Sequence, residues 1–332
     1  MLGFDQIRDQ QQPIRLLTAF IRRNRLPHAL IFTGVDGVGK RSAAMALALS
    51  LNCEALQGPQ PRPAESLSIA CRDCRPCRWI MAGNHPDVIR IDPVGKLIRI
   101  DQIRRLLDSL SKKPYGRGRR IVLIAEAHGM NPEAGNALLK MLEEPPANTI
   151  LILTTHQTSD LLPTIVSRCQ RIRFRPLPPD TIRSLLMTQE GLERQEADVV
   201  ARMAGGSYTR AVRLFHQGWI ARRNWIIREI TIPQAAVSRL ALAEQLARLK
   251  DHLPDALECI LSYYRDVLVW RYHPRQITNR DLQPEIEQAA ASSRARELID
   301  RIRATQEALR YLNANANPRL TMETLILQLD AA

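Results

Sequence analysis

Gly34-Val-Asp-Gly-Val-Gly-Lys-Arg41 is the stretch on which the fold turns. It fits the spacing G-x-x-x-x-G-K, in which glycines let backbone N–H groups turn toward a phosphate and a lysine reaches the terminal phosphates. The segment before it, His28-Ala-Leu-Ile-Phe-Thr33, reads as a buried strand. Ser42 to Leu51, after it, is rich in Ala and Leu and reads as a helix. A glycine turn between a strand and a helix N-terminus is a phosphate-binding context, because the helix end adds partial positive charge. Gly34, Gly37, Gly39 and Lys40 are therefore candidate nucleotide-binding residues.

One position departs from the pattern. The residue after the lysine is expected to be Ser or Thr, whose hydroxyl holds magnesium; here it is Arg41. Ser42 comes one residue later, and one residue on a helix turns a side chain by about 100°. A second acidic motif is expected at the end of a neighbouring apolar strand. Ile121 to Ile124 is followed by Ala125-Glu-Ala-His128, so Glu126 is present but Ala125 fills the aspartate slot. With both magnesium contacts missing, nucleotide binding is better supported than magnesium-assisted hydrolysis.

Working outward, Val88–Ile91, Ile121–Ala125, Thr149–Thr155 and Gln170–Phe174 read as further strands separated by amphipathic stretches. That alternation predicts an α/β fold with a parallel sheet covered on both faces. Pro176-Leu-Pro-Pro179 punctuates the chain, and beyond it the pattern is helical. Thr181–Leu186, Gln195–Ala204 and Tyr208–Phe215 predict a three-helix unit, with Gly205-Gly206 as a helix stop. Ala241–Lys250, Leu257–Arg271 and Ala295–Leu312 carry apolar residues at helical spacing. The expected organisation is 1–175, 176–216 and 217–332.

Cys53, Cys71, Cys74 and Cys77 form C-x17-C-x2-C-x2-C. Four thiolates at this spacing predict a closed, tetrahedral and hence structural Zn2+ site. His85 is an alternative ligand, and Arg72, Arg75 and Arg78 are expected to lower the thiol pKa values. Cys169 and Cys259 read as small packing residues. Gly58 to Pro63 is a short Pro-rich loop.

The chain has 332 residues, 45% hydrophobic and 24% charged, with a net charge of +13. From Trp219 onward 16 residues are basic and 14 acidic, so an excess of +11 lies before it. A basic surface there fits either a polyanion partner or a solvated face. No apolar run reaches a membrane span of about 18 residues. The polar start, Met1 to Gln12, lacks the layout of a signal peptide, so the expected location is the cytoplasm.

Asn136-Ala-Leu-Leu-Lys-Met-Leu-Glu-Glu-Pro-Pro146, Leu153-Thr-Thr155 and Ser167-Arg-Cys169 closely resemble bacterial clamp-loader subunits of the AAA+ class. The resemblance is strong to about residue 215 and weaker through Asn315 to Leu325. It implies an AAA+ domain carrying a zinc module, a small helical lid and an all-α collar that oligomerises. It also implies a place in a hetero-pentameric ring with tau/gamma and delta subunits, loading a sliding clamp onto primed DNA. Arg168, of Ser-Arg-Cys, would be an arginine finger directed at a neighbour's ATP. Read alone, it is a surface arginine in a basic stretch with Arg171, Arg173 and Arg175. Thr155 matches the first sensor. The second sensor arginine, expected in Gly-Ser-x-Arg, comes one place late as Arg210 in Gly206-Ser-Tyr-Thr-Arg210. Arg104 and Arg105, on the basic helix Asp101 to Lys113, would face DNA or simply solvent. Together these departures imply a non-hydrolysing subunit, the alternative being an ATP-hydrolysing motor subunit of the same loader.

Overall fold

β1 (Ala29–Thr33) lies near the middle of a five-stranded parallel sheet. The computed structural model describes residues 3–57, 70–116, 118–232 and 235–331. With β2 (Val88–Ile91), β3 (Arg120–Ile124), β4 (Thr149–Thr155) and β5 (Gln170–Arg173), the strand order is β2-β3-β4-β1-β5. Ala29 pairs with Leu151 and Thr33 with Thr155, so β1 and β4 end at one level, while Ile124 at the end of β3 pairs with Leu153, two residues earlier. The sequence explains which strands are central. β3 and β4 are buried throughout, as continuous runs of Ile, Leu and Val require, whereas β5 buries only Ile172.

The helices of this unit are α1 (Gln11–Arg22), α2 (Lys40–Asn52), α3 (Glu54–Gln57), α4 (Arg75–Met81), α5 (Ile100–Leu110), α6 (Pro132–Glu143) and α7 (Pro163–Val166). Ile103, Leu106 and Leu110 of α5 and Leu138, Met141 and Leu142 of α6 pack on Ile31, Val122, Ile124 and Leu153 of the sheet. Each such side chain contributes about 1.5–3 kcal/mol on burial. Asn131 starts α6 by accepting the Ala134 N–H at 3.0 Å, satisfying one of the free donors of the first turn.

α8 (Pro179–Leu185), α9 (Arg194–Met203), α10 (Tyr208–His216), α11 (Trp219–Thr231), α12 (Ala236–Ala247), α13 (Leu253–Trp270), α14 (Gln283–Ser292), α15 (Ala295–Asn313) and α16 (Pro318–Ala331) follow. α13 packs against α11, α14 and α15, and α12 against α16. After α9, Gly205 and Gly206 take φ values of 60° and 85°, the left-handed backbone that ends a helix. The chain forms two compact units, Met1–Thr181 with Gly206–Thr209, and Ile182–Gly205 with Arg210–Ala332. Among the described residues no helix is long and apolar enough to cross a membrane. The Pro-rich stretch 58–63 lies outside the described residues.

One buried charge was not visible in the sequence. Arg120 is 4% exposed and donates to Leu110 O at 3.0 Å and Lys112 O at 2.9 Å. It thereby caps carbonyls at the end of α5. Its Nε lies 3.6 Å from Asp87, whose carboxylate accepts the N–H groups of Tyr115 and Gly116 at 3.0 and 2.9 Å.

Candidate nucleotide site and four-thiol metal centre

The turn Gly34–Lys40 joins β1 to α2, with Gly34, Gly37 and Gly39 at φ values of 141°, 72° and 101°. Side chains rarely adopt these values, which is why glycine stands at these positions. A Cβ at Gly37 would lie 2.4 Å from the backbone N of Thr209, so the apex of the loop abuts that residue. Thr209 occupies the slot in which the second sensor arginine is expected. The guanidinium of Arg210, one residue on, is held by Asp255, at 3.1 Å, and by Glu258.

Lys40 is folded onto its own loop. Its Nζ donates to Gly34 O, to Val35 O at 2.9 Å and to Asp36 Oδ1 at 3.3 Å, and it is 6% exposed. Burial lowers its pKa below the ordinary lysine value, partly offset by Asp36.

Arg41 Nη2 lies 2.6 Å from Glu126 Oε1 and 3.6 Å from Asp92 Oδ1. Glu126 is held for this contact by a left-handed backbone (φ 51°) and by its N–H, which donates to Thr154 Oγ1 at 3.1 Å. Asp92, just past β2, was missed by the sequence reading. Its signal was an acidic residue closing a strand that runs beside β3. Ala125, the residue before Glu126, is fully buried and presents only a methyl group. Ser42 is half-buried in the first turn of α2. Thr155, at the end of β4, is buried, and its hydroxyl donates to Gln157 O at 3.1 Å.

Arg168 follows the short α7 and is partly exposed. Its Nη2 lies 2.8 Å from Glu143 Oε1, and its Nη1 donates to Thr164 O at 3.2 Å. Arg104 and Arg105 lie on the exposed face of α5, opposite the buried Ile103 and Leu106. Arg104 is 3.8 Å from Asp101, and Arg105 Nε donates to Asp101 O at 3.2 Å.

Cys53, Cys71, Cys74 and Cys77 bring their four sulfurs within 4.8 Å of one another. Cys53 follows α2, Cys74 caps α4 and Cys77 lies in its first turn. Backbone N–H groups of Cys71 and Cys74 point at the sulfurs of Cys53 and Cys71, each at 3.3 Å. A tetrahedral ion with sulfurs at about 2.3 Å needs sulfurs about 3.8 Å apart, so the residues fit a metal ion. His85 lies outside this group and accepts the Asp87 N–H at 3.1 Å.

Burial opposes ionisation of Cys71, yet the N–H groups of Cys74 and Asp73 and the thiols of Cys53 and Cys74 hold its pKa down to about 7. Burial pushes the Cys53 and Cys77 thiols up. Of the neighbouring arginines, Arg72 offers its backbone N–H to the Cys77 thiol, which favours the thiolate. Arg72 pairs with Asp5, and Arg75 stacks over Trp79 at 4.3 Å. Cys169 and Cys259 are raised to about 12 by burial, as unreactive packing thiols are.

A family model described as DNA polymerase III, delta subunit, matches residues 9–178, and its C-terminal counterpart matches 217–331. The chain is 33% identical to DNA polymerase III subunit delta' of Bacillus subtilis, covering 96% of each. It is 29% identical to the Escherichia coli subunit delta', covering 95% of this chain and 92% of that one. Against DNA polymerase III subunit tau of Bacillus subtilis the identity is 26%, covering 98% of this chain and 61% of the other. With a P-loop on a five-stranded parallel sheet and matches at both ends, the chain belongs to the delta' family of DNA polymerase III subunits.

Proposed function

We propose that the chain is a clamp-loader subunit of the DNA polymerase III holoenzyme. It does not hydrolyse ATP itself and donates Arg168 to ATP held by a neighbouring subunit. The observation that carries this reading is the Arg41–Glu126 ion pair of 2.6 Å beside Ala125. A guanidinium takes the place a magnesium ion needs, and the residue that would anchor the ion has no oxygen. These residues do not fit magnesium, so no hydrolytic step is assigned to this P-loop. Arg168 lies elsewhere, at the surface, where it is available to an adjacent chain. A guanidinium placed on developing phosphate charge accelerates transfer by about 10³–10⁵.

In this reading residues 1–175 form the AAA+ domain, 176–216 the lid, and 217–332 the collar that assembles with tau/gamma and delta subunits in a five-membered ring. The four cysteines would hold a structural zinc ion, which ties the end of α2 to α4 and leaves no ligand position open for chemistry. Arg104 and Arg105 would meet phosphates of primed DNA without reading sequence. The ring works in the cytoplasm on the sliding clamp. The test is a loader reconstituted with Arg168→Ala: assembly is retained and ATPase activity falls, and normal activity would overturn the assignment.

The second reading, an ATP-hydrolysing subunit of the tau/gamma kind, is favoured by Lys40, Glu126 and Thr155. Magnesium-dependent turnover of ATP by the purified chain with DNA would select it.

A further inference from the structure

Four arginines from four helices converge on one cavity in the unit Ile182–Gly205 with Arg210–Ala332. They are Arg202 of α9, Arg210 of α10, Arg223 of α11 and Arg265 of α13, lining a space of about 220 Å3. Helices bring cations together this closely only when something offsets their repulsion. Part of the offset is visible. Arg202 Nε lies 2.9 Å from Asp198, Arg210 Nη2 lies 3.1 Å from Asp255, and Arg223 pairs with Asp281. Those three aspartates are not among the residues lining the cavity, where Glu258 is the single carboxylate. Glu258 pairs with Arg210 within the lining, so one negative charge there faces four guanidiniums, and the other three acids stand outside it.

The wall is also built to stay in place. Arg223 is 1% exposed, and its Nη1 donates to Asn279 Oδ1 at 3.2 Å. Asn279 is in turn fixed by Asp266, whose Oδ2 accepts its N–H at 2.7 Å and its Nδ2 at 2.8 Å. Arg265 is exposed, makes no ion pair among the described residues, and donates to Thr278 Oγ1 at 3.1 Å. Ser262 and Thr278 add hydroxyls to the lining. Guanidiniums with hydroxyl and amide groups are the donor set that holds a tetrahedral oxyanion.

We propose that this cavity binds a single phosphate group. Its volume lies below the roughly 300–1,000 Å3 of pockets that enclose whole cofactors, so it encloses a phosphate and not a whole nucleotide. The group is either free orthophosphate or the terminal phosphate of a nucleic acid strand. The site is separate from the P-loop and stands whether or not the clamp-loader reading does.

The experiment uses the full chain with Lys40→Ala, which removes the P-loop's own attraction for phosphate. Orthophosphate is titrated calorimetrically, and in a second arm a 5′-phosphorylated oligonucleotide is compared with its 5′-hydroxyl twin. Saturable binding of orthophosphate that Arg265→Ala weakens about tenfold supports a free-anion site. Binding that needs the 5′-phosphate, weakened the same way, supports a strand-end site. Absence of saturable binding in both arms, or binding that Arg265→Ala leaves unchanged, overturns the proposal. Because Arg265 is exposed and makes no ion pair among the described residues, that variant should fold; an unchanged melting temperature checks it.

Discussion

Arg168 Nη2 rests 2.8 Å from Oε1 of Glu143, the last residue of α6. Both belong to the stretches that carry the clamp-loader resemblance, so the proposed finger is held by its own subunit until a neighbour competes for it. Such an exposed pair contributes only about 0.2–1 kcal/mol. Releasing it is thus easy.

Glu143→Ala is expected to leave the melting temperature within about 2 °C of the parent, since little stability resides in the pair. In the reconstituted loader it should leave ATPase activity intact or raise it, whereas Arg168→Ala lowers it. Steady-state phosphate release separates the two variants.

Arg41→Ser combined with Ala125→Asp would give the P-loop both missing oxygens. Nucleotide binding by this double variant is expected to become sensitive to EDTA, while binding by the parent chain is not. Calorimetric titrations of ATP with magnesium and with EDTA read the difference.

Replacing Cys74 by Ser removes one of four ligands and should abolish stoichiometric zinc, measured by elemental analysis of purified chain. Because metal affinity and folding are linked at such sites, the variant should also lose stability.

Arg120→Ala takes the donor from the carbonyls of Leu110 and Lys112 and removes the buried cation 3.6 Å from Asp87. The expected cost is about 3–5 kcal/mol, read from the urea midpoint of the purified chain.

Asp198 supplies a pH signature. Burial disfavours its charge, but hydrogen bonds from Arg202 and Arg183 outweigh this and hold its pKa below the ordinary value. A carboxyl depressed in the folded state stabilises above its unfolded pKa of about 3.9, and that contribution disappears as pH falls through the folded value. Asp198→Asn should therefore cost about 1–2 kcal/mol at pH 7 and progressively less as pH falls below about 3.9. Thermal melts across that range test it.

β1, β3 and β4 were legible as short apolar runs between polar turns, and β5 as an alternation of polar and apolar residues. β2 and β4 fall where the pattern puts them, and β1, β3 and β5 within one residue at each end. The cysteine cluster was equally readable, since three ligands lie within seven residues. What escaped depends on side chains that meet across elements. Nothing local says that Arg41 will turn toward Glu126 and Asp92, or that the Arg72 side chain will pair with Asp5. Arg210 shows the same limit. Its one-residue offset was visible, but not that Asp255 and Glu258 would hold it.

The guanidinium on Glu126 has one more consequence. A magnesium ion arrives with its nucleotide and departs with the products, so a site that uses one passes through distinct charge states. Arg41 is bonded to α2 and cannot leave. Under the proposed function its partner keeps the same positive charge beside it before and after a triphosphate is cleaved, and news of cleavage would come from another chain.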